Sequence, residues 1–352
     1  MFKLFKKRDG AEQAKQLSIY QRRALAYPAP APGSLAPSAI DAMENDSMVQ
    51  TALTVKKLGV LAADWKIDCP DVTIKSFVEE AIERMEGSPN DILRQAMDAF
   101  AKGWSIQEMV FEQQGSRIWL KAAHPKDPSL FGMDVDAFGN VEGLRLTVPG
   151  EAEVTLPRAK FILWANRGGY GRPKGRSDLE CAYPHWSAKQ TLLAAWKLHL
   201  ERFAMPTVFG KYDSALSSDD RQALVNALKD LQNNTSLVFP NEVEISTLQV
   251  SKETSTGFMD ALDFHNREIA RSVLGQTLTT DEGRRVGSLA MGKVHLQVLL
   301  LQLQALRTEL ADTVITEQVL RPLVALNFGG EAPVPRFKFM EARLEAFTTG
   351  AV

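Results

Sequence analysis

Cysteine is scarce in this sequence. Cys69 and Cys181 are the only two in 352 residues. That is too few for a disulfide framework, and no C-x-x-C metal pattern is present. A reducing compartment follows as the default. Long apolar runs are missing too. The run 298–301 is flanked by Gln297, Gln302 and Gln304, far short of the ~20 residues that a spanning helix needs. The N-terminus, MFKLFKKRDG, is basic but leads into no apolar signal core, so it reads as a cytosolic basic tail. An excess of charge of one sign is also lacking. Lys and Arg number 41 against 43 Asp and Glu, a formal charge of −2. A protein that grips DNA through its phosphates usually carries net positive charge. Tight whole-surface DNA binding is therefore not expected.

The motifs of several enzyme classes are absent as well. The loop at 167–176, RGGYGRPKGR, has the glycines of a phosphate cradle and precedes a helix start. It lacks the Walker spacing, because Gly175 is followed by Arg176 and Ser177. A turn that positions the following helix, with basic residues facing a partner, fits it better. His185, His199, His265 and His295 all sit on helical patterns, none paired with another at i, i+4. A metal site needs converging ligands, so structural or surface roles are expected and no metal or cofactor is assigned. No G-x-S-x-G nucleophile elbow occurs.

What is present is ordinary globular material, 45% hydrophobic and 24% charged, without solenoid repeats. Residues 1–40 form an arm whose segment 27–37, YPAPAPGSLAP, cannot be helix interior. Residues 40–61 show helical spacing on Val49, Leu53 and Leu58. Trp65, Ile67 and Cys69 alternate as a half-buried strand does. A helix over 72–85 presents Phe77, Val78, Ile82 and Met85. Another over 91–102 is capped by Asn90 or Asp91 and stopped by Gly103. From Trp104 an alternating pattern breaks at Gln114-Gly115, a hairpin signal, and short strands continue to 161–163. The first half is thus α+β.

The second half is mainly helical. Ser177 and Glu180 have capping-box spacing, and Pro184 is expected to interrupt or restart the helix. Residues 187–203 follow, with Leu192, Leu193, Trp196, Leu200 and Phe203 on one side, until Met205-Pro206. A small αββ module comes next: a helix capped by Ser218 and strands at 236–239 and 243–248. Helical spacing resumes over 258–274 and, after a polar loop, over 289–326, with Pro322 bending or breaking the last helix. The leucine-rich part of that helix reads as core or subunit seam, its glutamines falling off the leucine stripe as on a helix packed on one side and wetted on the other. The loop at 276–287 holds hydroxyls, two adjacent arginines and two adjacent carboxylates, Asp281 and Glu282, but no His or Cys. Through its arginine pair it reads as a finger on a rigid frame, suited to a large polyanion. A module inserted between two long helices lies at the end of a stalk.

Five blocks carry a resemblance. They are KGWSIQEMVFE (102–112), GRSDLECAYPHWSAKQ (175–190), ERFAMPTVFGKYD (201–213), REIARSVLGQTLTTDEG with GSLAMGKVH after it, and LVALNFG (323–329). In this order the chain resembles the Mu-like branch of the portal protein family of tailed bacteriophages, over roughly residues 41–339. The resemblance implies a portal fold: an N-terminal arm (1–40), an α/β wing (41–186), a stem helix (187–206), a small α/β clip inserted between stem helices (207–250), a second stem helix (251–275), a tunnel loop (276–287), and a long wing helix with the C-terminal segment (288–352). The crown is expected to be short or absent, and the extra Arg285-Val286 leaves the tip of the tunnel loop open.

It further implies a non-enzymatic ring of about twelve copies at one capsid vertex. The ring forms in the host cytoplasm and passes double-stranded DNA in packaging and ejection. The terminase large subunit, and later capsid and head-tail connector proteins, would be its partners, with no membrane involved. Gln276, Thr277, Thr279, Thr280, Arg284 and Arg285 would face DNA in the channel. Asp219, Asp220, Glu242 and Glu244 would form the docking rim of the clip. Two other readings stand beside this one: another ring-forming head-tail connector, and a phosphoryl-transfer enzyme built on the 167–176 loop.

Overall fold

The structure is a computed structural model. It describes residues 35–137, 140–169, 171–204, 208–211, 217–219, 221–222, 226, 244–247, 252–276 and 289–340. These fall into two compact units. One comprises Met1–Pro184 with Arg267–Val352, the other His185–Asn266.

The first unit starts with helices whose ends are chemically marked. α1 (Pro37–Glu44) has proline at its first position, where a missing N–H costs nothing. α2 (Ser47–Leu61) is capped by Asp46, which accepts from the Met48 and Val49 amides. The expected single helix over 40–61 is therefore two, because the Asp46 side chain claims the amides that would have continued the first. Strand β1 (Trp65–Asp68) follows as expected. α3 (Val72–Arg84) is capped by Asp71 and buries Phe77 and Val78. α4 (Pro89–Ala96) is capped by Ser88 rather than by Asn90 or Asp91, since Ser88 Oγ accepts from the Asp91 amide at 3.3 Å. The helix expected over 91–102 breaks at Met97, and the short α5 (Ala99–Lys102) ends at Gly103 with φ +87°.

Two antiparallel sheets come next. β2 (Trp104–Gln114) and β3 (Arg117–Lys126) form the hairpin foreseen at Gly115. β4 (Phe131–Val135), β5 (Val141–Leu146) and β6 (Val154–Pro157) make a second sheet in the order β4-β5-β6. β7 (Phe161–Ala165) returns to β2, giving β3-β2-β7. Trp104, Ile106, Phe131, Leu144 and Phe161 join the sheets through one buried cluster.

α6 (Leu179–Ala204) contains Pro184 without interruption. The proline removes one helical bond, but buried Leu179 and Ala182 fix the turn around it, and the helix runs on. In the second unit, β8 (Val208–Lys211) pairs antiparallel with β9 (Glu244–Thr247). The later strand was expected and its partner was not; the strand expected at 236–239 lies outside the described residues. Residues 218–219, 221–222 and 226 are helical. α7 (Lys252–Leu274) leads out of this unit and ends at Gly275, φ +72°.

α8 (Leu289–Leu310) continues without a break through a π-helical stretch, Ala311–Leu320, into α9 (Arg321–Phe328). Pro322 does not break it. It sits where i→i+5 spacing returns to i→i+4, a step that strands a carbonyl whatever residue follows. β10 (Arg336–Phe339) then pairs with β1, tying the two ends of the described chain together.

This composite helix caps one residue on each edge of the β3-β2-β7 sheet. The Gln318 amide accepts from the Leu163 N–H at 2.8 Å and donates to the Leu163 carbonyl at 2.8 Å. The Asn327 amide does the same for Ile118, at 2.9 and 2.8 Å. Each side chain stands in for a neighbouring strand at one residue of the edge. Gln318→Leu or Asn327→Leu is expected to cost about 1–3 kcal/mol in urea unfolding, the penalty for half-buried backbone groups left without partners. A change below about 0.5 kcal/mol, the scatter of ordinary surface substitutions, would contradict this.

Candidate functional site

The glycine-rich turn at 167–176 is fastened to the fold from beneath. Asp178 is fully buried, accepts from Lys56 Nζ at 2.6 Å and Asn166 Nδ2 at 3.0 Å, and forms an ion pair with Arg167 Nη2 at 3.2 Å. Its own amide donates to the Phe100 carbonyl at 2.8 Å. Lys56 Nζ also stands 4.1 Å from the Phe100 ring centroid. Two positive charges and an amide thus compensate one buried carboxylate, as burial of charge requires. Ser177 Oγ donates to the Ala101 carbonyl and accepts from the Leu179 amide, so it does cap α6. Glu180 pairs with Arg176 at 2.9 Å.

Gly175 has φ +64°, and a Cβ there would press on the carbonyl oxygens of Asn166 and Gly103, the second at 2.6 Å. Only glycine fits. Arg167 takes the left-handed region at φ +51° without being glycine, and its guanidinium pairs with Asp178. Lys174 donates to the Phe131 carbonyl at 3.1 Å, and burial pushes its ammonium below the usual lysine range. Three of the turn's four cations are therefore spoken for within the fold. That disfavours a phosphate cradle and fits a turn that aims α6.

The candidate channel loop begins at Gly275, whose amide donates to the Arg271 carbonyl at 2.9 Å. Gln276 is buried at 4% exposure, so in the single chain it is not presented to a partner. Thr277, Thr279, Thr280, Arg284 and Arg285 lie outside the described residues. Of the docking residues, Asp219 is exposed on a helical segment beside Ser218, whose hydroxyl donates to it at 3.3 Å. Glu244 opens β9 opposite Lys211 in the strand register. Asp220 and Glu242 lie outside the described residues.

The structure also brings together residues that sequence spacing kept apart. His185 on α6 and His265 on α7 place their Nδ1 atoms 3.2 Å apart, so one ring donates and the other accepts. Among the described residues no group of three or more His, Cys, Asp or Glu could hold a metal ion, and no helix is long and apolar enough to cross a membrane. The Lys56–Asp178 pair spans 122 residues and left no trace in local pattern. Gln318 and Asn327 read as surface amides, and only their contacts disclose their role.

An α+β body, a small unit whose strands β8 and β9 fall in sequence between the long helices α6 and α7, and the further long helix from α8 define the class. Solved structures of that fold exist. A chain in the neck of the native GTA particle, computed with C12 symmetry, superposes with a TM-score of 0.64 over 93% of this chain and 91% of its own, at 14% identity. A chain of the virion of the native gene transfer agent particle matches equally, over 93% and 90%. At such identity the likeness shows the fold alone. The family described as portal protein of Mu bacteriophage matches residues 38–349, and the chain belongs to it. It is 27% identical over 325 residues to the Mu-like prophage FluMu protein gp29 of Haemophilus influenzae, covering 88% of this chain and 61% of that protein. It is 27% identical over 296 residues to the portal protein of Escherichia phage Mu, covering 82% and 56%. The chain thus spans about three fifths of the length of these relatives.

Proposed function

We propose that this chain is a portal subunit. About twelve copies close into a ring by head-to-tail contacts at one capsid vertex of a virion. Double-stranded DNA enters and leaves through its axis. The observation that carries the reading is the family match over residues 38–349, supported by a fold shared with a neck chain solved under C12 symmetry. The role is structural rather than enzymatic. Near-neutral charge suits it, because a channel that held phosphates strongly would brake the DNA.

In this reading residues 41–186 belong to the wing, α6 and α7 supply the stem, residues 207–250 form the clip and 276–287 the tunnel loop. The clip docks the terminase large subunit during packaging and connector proteins afterwards. In the tunnel loop, Thr277, Thr279 and Thr280 donate to phosphate oxygens and Arg284 and Arg285 add charge-assisted bonds. One loop binds weakly. Repeated around a ring, it becomes a collar that opposes backward slippage without reading sequence.

Arg284→Ala with Arg285→Ala should leave assembly unchanged and let packaged DNA escape faster. The expected effect is roughly tenfold at low salt, from the ~1.5 kcal/mol of a charge-assisted hydrogen bond. The difference shrinks as salt screens the contacts. DNA retention equal to the parent at low salt would remove the loop from the mechanism. A capsid-filling assay with this protein as the only portal tests the function itself: filled heads support it, and empty heads from correctly formed rings count against it.

A further inference from the structure

α8 is apolar on two opposite sides. Successive residues of a helix turn by about 100°. On that wheel Leu299, Leu303 and Leu310 share one narrow arc, and all three are buried. α2 approaches this arc closely enough that a Cβ on Gly59 would meet Leu303 at 2.6 Å. Arg307 strengthens the contact by donating to the carbonyls of Gly59 and Val60 at the end of α2, at 2.5 and 3.1 Å. Val294, Val298, Leu301 and Ala305 fall on the opposite arc, and Thr308 continues it. Nothing among the described residues covers them: Val294 is 56% exposed, Val298 43% and Leu301 67%. This stripe is about 21 Å long at 1.5 Å per residue.

The side of a surface helix away from its core normally carries charge. Here no charged residue occurs between His295 and Arg307. A groove of about 800 Å³ adjoins the stripe, with Leu300, Leu301, Phe339 and Met340 among its walls and Arg336 and Lys338 beside them. Lys338 is already bound to Asp68 at 2.6 Å, so little of that charge is on offer to a partner.

We propose that this stripe and the groove beside it are the seat of a second copy of this chain, the next subunit of the ring. The inference rests on the portal reading and adds the surface by which neighbours hold together. Composition identifies the occupant. Partners that come and go meet surfaces about as polar as the rest of a protein, whereas permanent homo-oligomeric contacts resemble a core cut in two. A valine and leucine stripe flanked by Gln297, Gln302 and Gln304, with no charge along eleven residues, matches permanent cover. A motor or connector that docks and leaves would not keep it out of water in the meantime. In a head-to-tail ring the stripe meets a different surface of the neighbour, so one such seat per copy suffices and none is left bare.

The test uses the whole chain with a photo-crosslinking side chain in place of Leu301, and separately Leu301→Lys. Irradiation is expected to join copies into a ladder of dimers and higher multiples. Leu301→Lys is expected to raise the protomer concentration needed for assembly at least about tenfold, since a buried leucine contributes ~1.5–3 kcal/mol. Its circular dichroism should be unchanged, because the side chain is exposed in the single chain. Leu326→Lys, at a 51% exposed leucine on α9, should assemble as the parent does. Rings that form without crosslinks between copies, undisturbed assembly of Leu301→Lys, or equal loss in both lysine variants would each overturn the inference while leaving the portal reading intact. A parent protein that never forms rings would overturn the portal reading and this inference with it.

Discussion

Asp178→Ala is expected to destabilise the first unit by about 3–5 kcal/mol, the usual cost of removing one partner from a buried ion pair. The Lys56 ammonium would then lie over the Phe100 ring with no anion. Arg167, in the left-handed region, would lose its ion-pair partner. Asn166 would lose one of the two acceptors of its amide group. The damage reaches beyond stability, because this carboxylate fixes the turn from which α6 starts. Asp178→Leu combined with Lys56→Met should recover most of the loss, since an apolar pair of similar volume can replace a buried ion pair. Urea unfolding checks both variants. A single variant with an unshifted midpoint would show that the carboxylate does not hold the turn.

The second large effect concerns docking. Replacing Asp219, Asp220, Glu242 and Glu244 together with lysine should abolish DNA packaging and leave ring assembly intact. A packaging motor approaching this rim would meet like charge in place of complementary charge, and such juxtapositions cost several kcal/mol. DNase-protected DNA per capsid is the readout, with ring formation by the variant as the control. Parental packaging by intact variant rings would move the docking surface elsewhere.

Local chemistry made much of the fold legible. Gly103 and Gly115 marked a helix end and a hairpin because backbone conformation alone determines them. The alternation of β2 and β3 follows from one buried face. Features that depend on distant partners were not legible. β7 pairs with β2 across β3 and the whole second sheet. Ser88 outcompeted two plausible caps by the direction of its entering chain. Pro184 and Pro322 read as breaks, yet tertiary packing carries one helix past the first, and a change of helical spacing absorbs the second. Of the candidate site, the strand at 244–247 between two long helices was visible as pattern, while the loop expected at 276–287 lies, past Gln276, outside the described residues. The burial of Gln276 was not visible, since a polar residue after a helix-ending glycine ordinarily faces water. α8 was read as leucine-rich, packed on one side and wetted on the other; that its outer half is apolar too emerges only when α2 is packed against it.

Mass photometry and negative-stain imaging of the purified protein test the central claim most directly. The account predicts rings with a central hole and a mass of roughly 470 kDa for about twelve copies of the 39.0 kDa chain. A species that stays at 39.0 kDa at every salt and protein concentration would contradict it.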